Sequence, residues 1–474
     1  MRIVFAAAEA APYVKVGGLA DVAGSLPQAL AAKGHDVTVY LPLHGTIDRA
    51  AHRVPDRAAV RSVPYGRARA RVSLAEIRRD GVRVVFVGHP TRITRAAVYG
   101  ETDDAKRYAL FCRAVAEDLA AAEPPDIVHA HDWHAALLVP LVAGPYRARL
   151  ASAATVFTIH NLAYQGRTAA SVLDVAGLPR ARLAVERDGE CNPMARAIAR
   201  AAVVSTVSAR YAEEILTPRF GEGLDGLLRE RRADLFGIVN GIDTAVFDPA
   251  TDRHIAARYS AGDPSGKAVC KADLQRASRL GAEPAAPLFG VIGRLVEQKG
   301  IDLLTAVAPG LLAGGAQLVV LGAGDPAYEE RWRALARRHG GRLALTIGFD
   351  AALAQRIYAG ADMFLMPSRF EPCGLGQLIA LRYGTIPVVH AVGGLAETVR
   401  DVDAEGRTGN GFSFGEYAPA AFSGALSRAQ RMFARVEAWA ALRAGAMRED
   451  HSWDASAERY LELYRRAAKA RRAA

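Results

Sequence analysis

Lys15-Val16-Gly17-Gly18-Leu19-Ala20-Asp21 follows the apolar run Ile3-Val4-Phe5-Ala6-Ala7-Ala8 and decides the reading of this chain. An apolar run of that length ends as a buried strand does, and two adjacent glycines then allow a sharp turn and a close backbone approach where a helix starts. The first amides of a helix have no partners within it and sit at the positive end of its dipole. The stretch therefore reads as an anion site with outward-facing amides, to which Lys15 adds a mobile charge. A glycine pair after a strand also serves plain packing, so a second region has to carry the specificity.

That region is Pro367-Ser368-Arg369-Phe370-Glu371-Pro372-Cys373-Gly374-Leu375-Gly376-Gln377-Leu378, which follows an apolar strand at 363–366 and opens a helix through glycine. In Gly293-Arg294-Leu295-Val296-Glu297-Gln298-Lys299-Gly300, two cations stand five positions apart on a loop after a strand. A forked guanidinium with a point-charge ammonium suits a leaving diphosphate. Glu371 is disfavoured beside phosphate unless it accepts hydrogen bonds from sugar hydroxyls or faces positive charge developing on a sugar ring. Asp132-Trp133-His134, after a strand at 127–130, fits a sugar acceptor: the Trp face stacks on sugar rings and Asp accepts hydroxyl protons. His129 and His131 read as packing or capping residues.

A length of 474 residues exceeds what one hydrophobic core organises, and a hydrophobic content of 51% supports two. No apolar run reaches the roughly 18 residues that span a bilayer, and the N-terminal run is too short for a signal peptide. The expectation is a cytoplasmic protein without a membrane partner. Four scattered cysteines, Cys112, Cys191, Cys270 and Cys373, fit reduced thiols better than a disulfide frame or a zinc site. The net charge of +10 is spread as Arg among Ala-rich stretches. Its one dense cluster, 465–472, is terminal and reads as a solvated helix end, so no nucleic-acid partner is expected.

Short apolar strands at 37–41, 82–87, 127–130, 156–159 and 203–207 alternate with helical patterns, the signature of a parallel sheet with crossover helices. The pattern pauses between Phe236 and Pro287, where Asn240-Gly241-Ile242-Asp243 makes a turn. It resumes at 288–292, 318–321, 343–347, 363–366 and 386–389. Two Rossmann-like halves result, and ligands of such sheets bind beyond the carboxyl ends of the strands. Three motifs are set aside. Gly262 to Lys267 resembles a P-loop, but its first glycine is one residue too close and Ala268 replaces the hydroxyl. Asp401-Val402-Asp403 reads as a loop rather than a metal site, and Gly322-Ala323-Gly324-Asp325 lacks the third glycine of a dinucleotide fingerprint. No metal and no cofactor are expected, because Lys15, Arg294 and Lys299 supply the positive charge.

With both glycine turns in view, the chain resembles the bacterial glycogen synthase and plant starch synthase family of retaining glucosyltransferases. The resemblance runs from Ile3 to Tyr464 and includes Lys271-Ala272-Asp273-Leu274-Gln275 and Ser452-Trp453. It implies an α/β GT-B fold of two Rossmann-like parallel-sheet domains facing across a cleft: 1–239 on the acceptor side, 240–450 on the nucleotide-sugar donor side, and a helix in 451–474 crossing back to the first domain. It implies that Arg294 and Lys299 hold the distal phosphate and that Glu371 binds the donor glucose hydroxyls. The amides of Cys373, Gly374, Leu375 and Gly376 would meet the phosphates, and Lys15, Gly17 and Gly18 also serve the donor. In Thr158-Ile159-His160-Asn161-Leu162-Ala163-Tyr164-Gln165-Gly166, His160 is implied to lie against the donor sugar, its carbonyl near the reacting carbon and its ring near a hydroxyl. Asp21, Asp132, Trp133 and Asn161 fall on the acceptor side.

The implied catalytic set is Glu371, His160, Lys15, Arg294 and Lys299. The implied reaction moves glucose from ADP-glucose to the non-reducing 4-hydroxyl of an α-1,4-glucan (glycogen) and releases ADP. No residue stands out as a covalent nucleophile, so the departing phosphate would help deprotonate the acceptor. The chain departs from the family pattern at Cys191-Asn192-Pro193-Met194-Ala195, where a cation expected near Ala195 is missing, at Phe247, often Trp, and at Gly376, often Thr. Ile379, eight residues past Glu371, is not the second acid with which many related sugar transferases hold ribose. The alternatives are a related transferase using UDP-glucose or another acceptor, and a glucan-binding protein without turnover. No oligomeric state is assigned.

Overall fold

The computed structural model describes residues 1–473, so Ala474, the end of the expected C-terminal segment, lies outside the described residues. The chain divides into two compact units, Met1–Gly241 with Trp453–Ala474, and Ile242–Ser452. In the first unit the strands are β1 (Arg2–Ala6), β2 (Asp36–Pro42), β3 (Ala59–Tyr65), β4 (Ala68–Arg79), β5 (Val82–Gly88), β6 (Ile127–His131) and β7 (Ala154–Ile159). A short ribbon of β8 (Thr168–Ala169) and β9 (Glu190–Cys191) precedes β10 (Val203–Thr206) and β11 (Leu235–Gly237). Apart from the ribbon, these form a sheet in the order β11-β10-β7-β6-β1-β2-β5-β4-β3. Every residue of β6, β7 and β10 is buried, as expected where helices cover both faces of parallel strands.

The expected parallel series lacks three strands of this sheet, β11 at one edge and the antiparallel pair β3 and β4 beyond β5 at the other. Ala68-Arg69-Ala70-Arg71-Val72 alternates arginine with small or apolar residues, so β4 is half exposed and shows no continuous apolar run. Pro64 and exposed arginines on this hairpin discourage further pairing at the sheet edge. The chain connects outward in opposite directions from β1 and β6, which are neighbours, so the crevice of this sheet opens at their carboxyl ends. The helix Trp453–Ala473 belongs to this unit. Trp453, Tyr460, Leu461 and Tyr464 share a core with Ile3, Phe5, Leu26 and Leu30, and the Tyr464 hydroxyl lies 2.9 Å from His129 Nδ1.

The second unit has β12 (Leu288–Ile292), β13 (Gln317–Gly322), β14 (Leu343–Ile347), β15 (Met363–Met366), β16 (Ile386–His390) and β17 (Phe412–Phe414), all parallel, in the order β14-β13-β12-β15-β16-β17. β12 beside β15 marks its switch point. The motifs set aside are structural. The Lys267 ammonium donates to the carbonyls of Ala359 and Tyr383 and to the Thr385 hydroxyl. Asp403 accepts the Arg407 amide within its own loop, Asp401 pairs with Arg428, and Asp325 caps the helix Pro326–Arg338. Among the described residues no helix is long and apolar enough to cross a membrane, and all four cysteines are buried and free.

Asp362 ties three segments of the second unit together. Its carboxylate accepts the Lys271 ammonium at 2.7 Å and the Leu288 amide at 2.9 Å, and both charged side chains are about nine-tenths buried. Asp362→Ala leaves Lys271 buried without its counter-charge, a cost of about 3–5 kcal/mol. Calorimetry should show a lower unfolding midpoint for this unit; a midpoint equal to wild type would show that the pair holds nothing together.

Candidate active site

In the first unit, the residues singled out from sequence gather in the segments after β1, β6 and β7. The helix Gly18–Ala32 starts at the glycine pair, with Gly17 as N-cap at φ −137° and ψ −169°. That is extended backbone open to any residue. What the glycine supplies is room, since a Cβ on Gly17 would lie 3.3 Å from Glu9 Oε1. The two amides just before the helix are not free for an anion: those of Val16 and Gly17 donate to Glu9 Oε2 at 2.5 and 2.9 Å. Lys15 is also engaged, its Nζ 2.6 Å from Asp21 Oδ1. Asp21 thus holds the lysine that the resemblance places on the donor. Burial raises the Glu9 carboxyl above its ordinary range, against the two amides that favour the ionised form.

Asp132 sits at φ 55°, a left-handed conformation uncommon outside glycine and characteristic of sites held by their surroundings. Its Oδ1 accepts the His160 amide at 2.8 Å, which locks the end of β7 to the end of β6. The residue keeps some surface, yet its carboxyl lies deep among protein atoms. Burial pushes it up to about 7, and the amides of His160 and Asn161 oppose the shift. His160 Nε2 lies 2.9 Å from His131 Nδ1, and burial pushes His160 down to about 3. Asn161 shapes its own loop by accepting the Ala163 amide at 3.1 Å. Gly166 at φ 70° passes against Trp133, and a Cβ there would overlap the indole. Ala195 is fully buried, and its amide donates to the Asn192 side chain. The next residue, Arg196, makes a two-pronged ion pair with buried Glu186 at 2.9 and 2.6 Å, so the nearby cation serves packing.

In the second unit, the loops after β12 and β15 flank the switch point. Lys299 Nζ donates to Glu371 Oε2 at 2.6 Å, and Ser368 Oγ donates to the same oxygen at 3.0 Å. Ser368 is itself anchored, since His390 Nδ1 lies 2.7 Å from its carbonyl. Arg294 reaches Gln298 Oε1 at 2.9 Å, so one of the two cations meets an acid and the other an amide. Gly300 at φ 70° lets the loops touch, because a Cβ there would overlap the Pro367 carbonyl. The Gly394 amide donates to the carbonyls of Glu371 and Pro372, both at 3.1 Å. Gly374 turns at φ 74°, Cys373 is buried, and Leu375 caps the helix Gly376–Arg382. At Gly376 a Cβ would lie 2.8 Å from the Phe364 ring, so the threonine frequent in the family would need that ring to move.

Sequence reasoning missed Glu9 and Ser368. Glu9 interrupts the apolar stretch Ala6-Ala7-Ala8-Glu9-Ala10, and an acid placed there is 2% exposed; that interruption was the available signal. Phe349, 87% exposed in the turn after β14, stands at the carboxyl end of that strand. Among the described residues no group of three or more His, Cys, Asp or Glu is placed to share a metal ion.

Two Rossmann-like units with cation and carboxylate pairs at their switch points define a GT-B glycosyltransferase. The family described as "Starch synthase catalytic domain" matches residues 2–230, and "Glycosyl transferases group 1" matches residues 286–431. The glycogen synthase of Anaeromyxobacter dehalogenans (strain 2CP-1 / ATCC BAA-258) is 48% identical over 99% of this chain and 100% of its own length. That of Anaeromyxobacter sp. (strain Fw109-5) is 49% identical over 98% of this chain and 99% of its own. The catalytic domain of starch synthase IV from Arabidopsis thaliana, solved bound to ADP and acarbose, superposes with a TM-score of 0.92 at 36% identity, covering 99% of each chain. The chain belongs to the glycogen synthase and starch synthase family.

Two predictions follow from the loop geometry and the buried acid. Gly300→Ala drives the Pro367 carbonyl away and with it Ser368 and Glu371; transferase activity should fall well before the far-ultraviolet spectrum changes, and full activity would refute the close approach. For Asp132, the folded protein holds a proton between the ordinary carboxylate range and about 7 that the unfolded chain has released. The stability this group contributes is present at low pH and lost as pH rises through about 7. Asp132→Asn should flatten the fall in unfolding midpoint between mildly acidic and mildly alkaline buffers, and an unchanged slope would remove Asp132 as its source.

Proposed function

We propose that the chain transfers glucose, with retention, from ADP-glucose to the non-reducing 4-hydroxyl of an α-1,4-glucan and releases ADP. The observation that carries this reading is the Lys299–Glu371 pair at 2.6 Å on the two loops of one switch point. A cation for a leaving phosphate and an acid for sugar hydroxyls are what breaking a bond between sugar and diphosphate requires. Lys299 and Arg294 stabilise the departing diphosphate, and the amides from Cys373 to Gly376 complete its cradle. Glu371 accepts from the glucose hydroxyls, with Ser368 and Lys299 fixing its Oε2 and leaving Oε1 for the ligand. Lys15 and the Gly17-Gly18 turn also serve the donor, His160 serves the sugar being transferred, and Asp21, Asp132, Trp133 and Asn161 serve the glucan. The departing phosphate takes the acceptor proton.

Lys15, Arg294 and Lys299 supply the positive charge, so the reaction runs without metal or cofactor. The donor side is assigned to 240–450 and the acceptor side to 1–239. The protein works in the cytoplasm on ADP-glucose and glycogen, with neither nucleic acid nor membrane as partner. Support comes from the two glycogen synthases of matching length and from the starch synthase solved with ADP and acarbose.

The test is glucose incorporation into glycogen by the purified protein, without added metal, from ADP-glucose and from UDP-glucose in parallel. Strong preference for ADP-glucose supports the proposal; transfer from UDP-glucose alone overturns the donor, and transfer from neither overturns the activity. Lys299→Ala should lose about 2–4 kcal/mol of transition-state stabilisation, seen as a fall in kcat/KM of about 30- to 1000-fold. Glu371→Ala should abolish most turnover while the unfolding midpoint stays near wild type, and an unchanged rate would take Glu371 out of the site.

A further inference from the structure

We propose that His131, read from sequence as a packing or capping residue, is a positioning residue that fixes His160 as the tautomer protonated on Nδ1, so that His160 meets the sugar only as a hydrogen-bond donor. This rests on the reading that His160 serves the transferred sugar. His131 is fully buried, stacked on Phe5 with centroids 5.4 Å apart and 4.0 Å from the His129 ring. Its Nδ1 lies 2.9 Å from His160 Nε2, and its Nε2 is buried with no hydrogen-bond partner among the described residues. His129 offers it none. One nitrogen of His129 faces the Tyr464 hydroxyl at 2.9 Å and the other the Thr158 hydroxyl at 2.6 Å.

Burial holds both His131 and His160 in the neutral form, so each ring carries one N–H. Two arrangements satisfy the 2.9 Å contact. If His160 Nε2–H donated, the single proton of His131 would sit on Nε2, an N–H buried without an acceptor. If His131 Nδ1–H donates, the unpartnered atom is a bare lone pair. Orphaned buried N–H groups are the rarer and costlier fault, so His131 is the donor. His160 Nε2 is then occupied as an acceptor and its proton must lie on Nδ1, a nitrogen with no partner within the described residues. The amide of His160, donating to Asp132 Oδ1 at 2.8 Å, holds the backbone from the other side. A ring presenting only N–H to a substrate donates to a hydroxyl oxygen and takes no proton. His160 is thereby excluded as the base for the acceptor hydroxyl.

The tautomer can be read without any activity, by long-range proton–nitrogen correlation spectra of the protein labelled with nitrogen-15 histidine, with His160→Gln identifying the signal. A proton on Nδ1 of His160 is expected; a proton on Nε2 overturns the proposal. In kinetics, His131→Phe keeps a flat apolar ring but removes the donor, and should lower kcat by about 10- to 100-fold with little change in KM. His131→Asn returns an N–H near the position of Nδ1 and should recover most of that loss. Equal loss in both folded variants would mean that ring packing, not the hydrogen bond, is what matters, and would overturn the positioning role. If His131→Phe does not fold, the wild-type spectrum and His131→Asn still decide. Wild-type turnover in His160→Ala would overturn the sugar-side role of His160 itself, a result separate from the spectrum.

Discussion

A parallel strand buried on both faces spends its side chains on packing, so any chemistry it supports is confined to its ends. β6 and β7 show this within a few residues: the buried runs end in His131 and Ile159, and Asp132 and His160 come next. Connections that leave in opposite directions at a switch point keep the following loops from closing over one another. Polar groups there can face a ligand. The loops are also crowded, because Gly166 lies against Trp133, Gly300 against Pro367, and Gly393 against the Glu371 carbonyl. At each of these positions a side chain would push a whole loop, so the site geometry depends on backbone packing as much as on the polar residues it displays.

At each switch point one lysine is paired with a carboxylate of its own unit. Lys15 faces Asp21, Lys299 faces Glu371, and Glu9 occupies the amides before the first helix. The two lysine pairs differ in kind. The Lys15 side chain is 49% exposed, and an ion pair in that setting is worth about 0–1 kcal/mol, so it opens at little cost. Glu371 is 8% exposed and also receives Ser368, which makes it a fixed acceptor. A fixed acid with one oxygen occupied loses little further freedom when a hydrogen-bond donor reaches the other. That is the economy of a preorganised site, in which alignment precedes the ligand.

Much of the architecture was legible because parallel strands write themselves as short apolar runs. β12, β14 and β15 coincide with runs read from sequence. The hairpin β3 and β4 was not legible, since a half-exposed edge strand carries arginine at alternate positions and mimics a polar loop. The anion-site motifs were found by their glycines, but one reason attached to them was incomplete. Gly17 is not needed for a left-handed turn; it clears space for Glu9, and a contact between a carboxylate and amides seven and eight residues on has no signature in spacing. His131 was read as packing because a histidine inside an apolar strand usually is. Its packing is real, and the contact to His160 appears only when β6 and β7 are laid side by side with His131 against Thr158.

The two units share a lysine–carboxylate pair at the switch point and differ in the polar groups around it. The second places Arg294, Lys299 and Glu371 on the loops after β12 and β15, with Lys299 paired to Glu371 and Arg294 to Gln298. Beside its Lys15–Asp21 pair, the first collects groups that burial biases toward the neutral form: His129, His131, His134 and His160 are all held below the ordinary histidine range, and Asp132 is raised. Neutral rings in a low-dielectric setting give directional hydrogen bonds without adding a net charge. Burial lowers the basicity of His160, and in the proposed tautomer its one lone pair faces His131, which leaves a donor whose direction is set by the sheet.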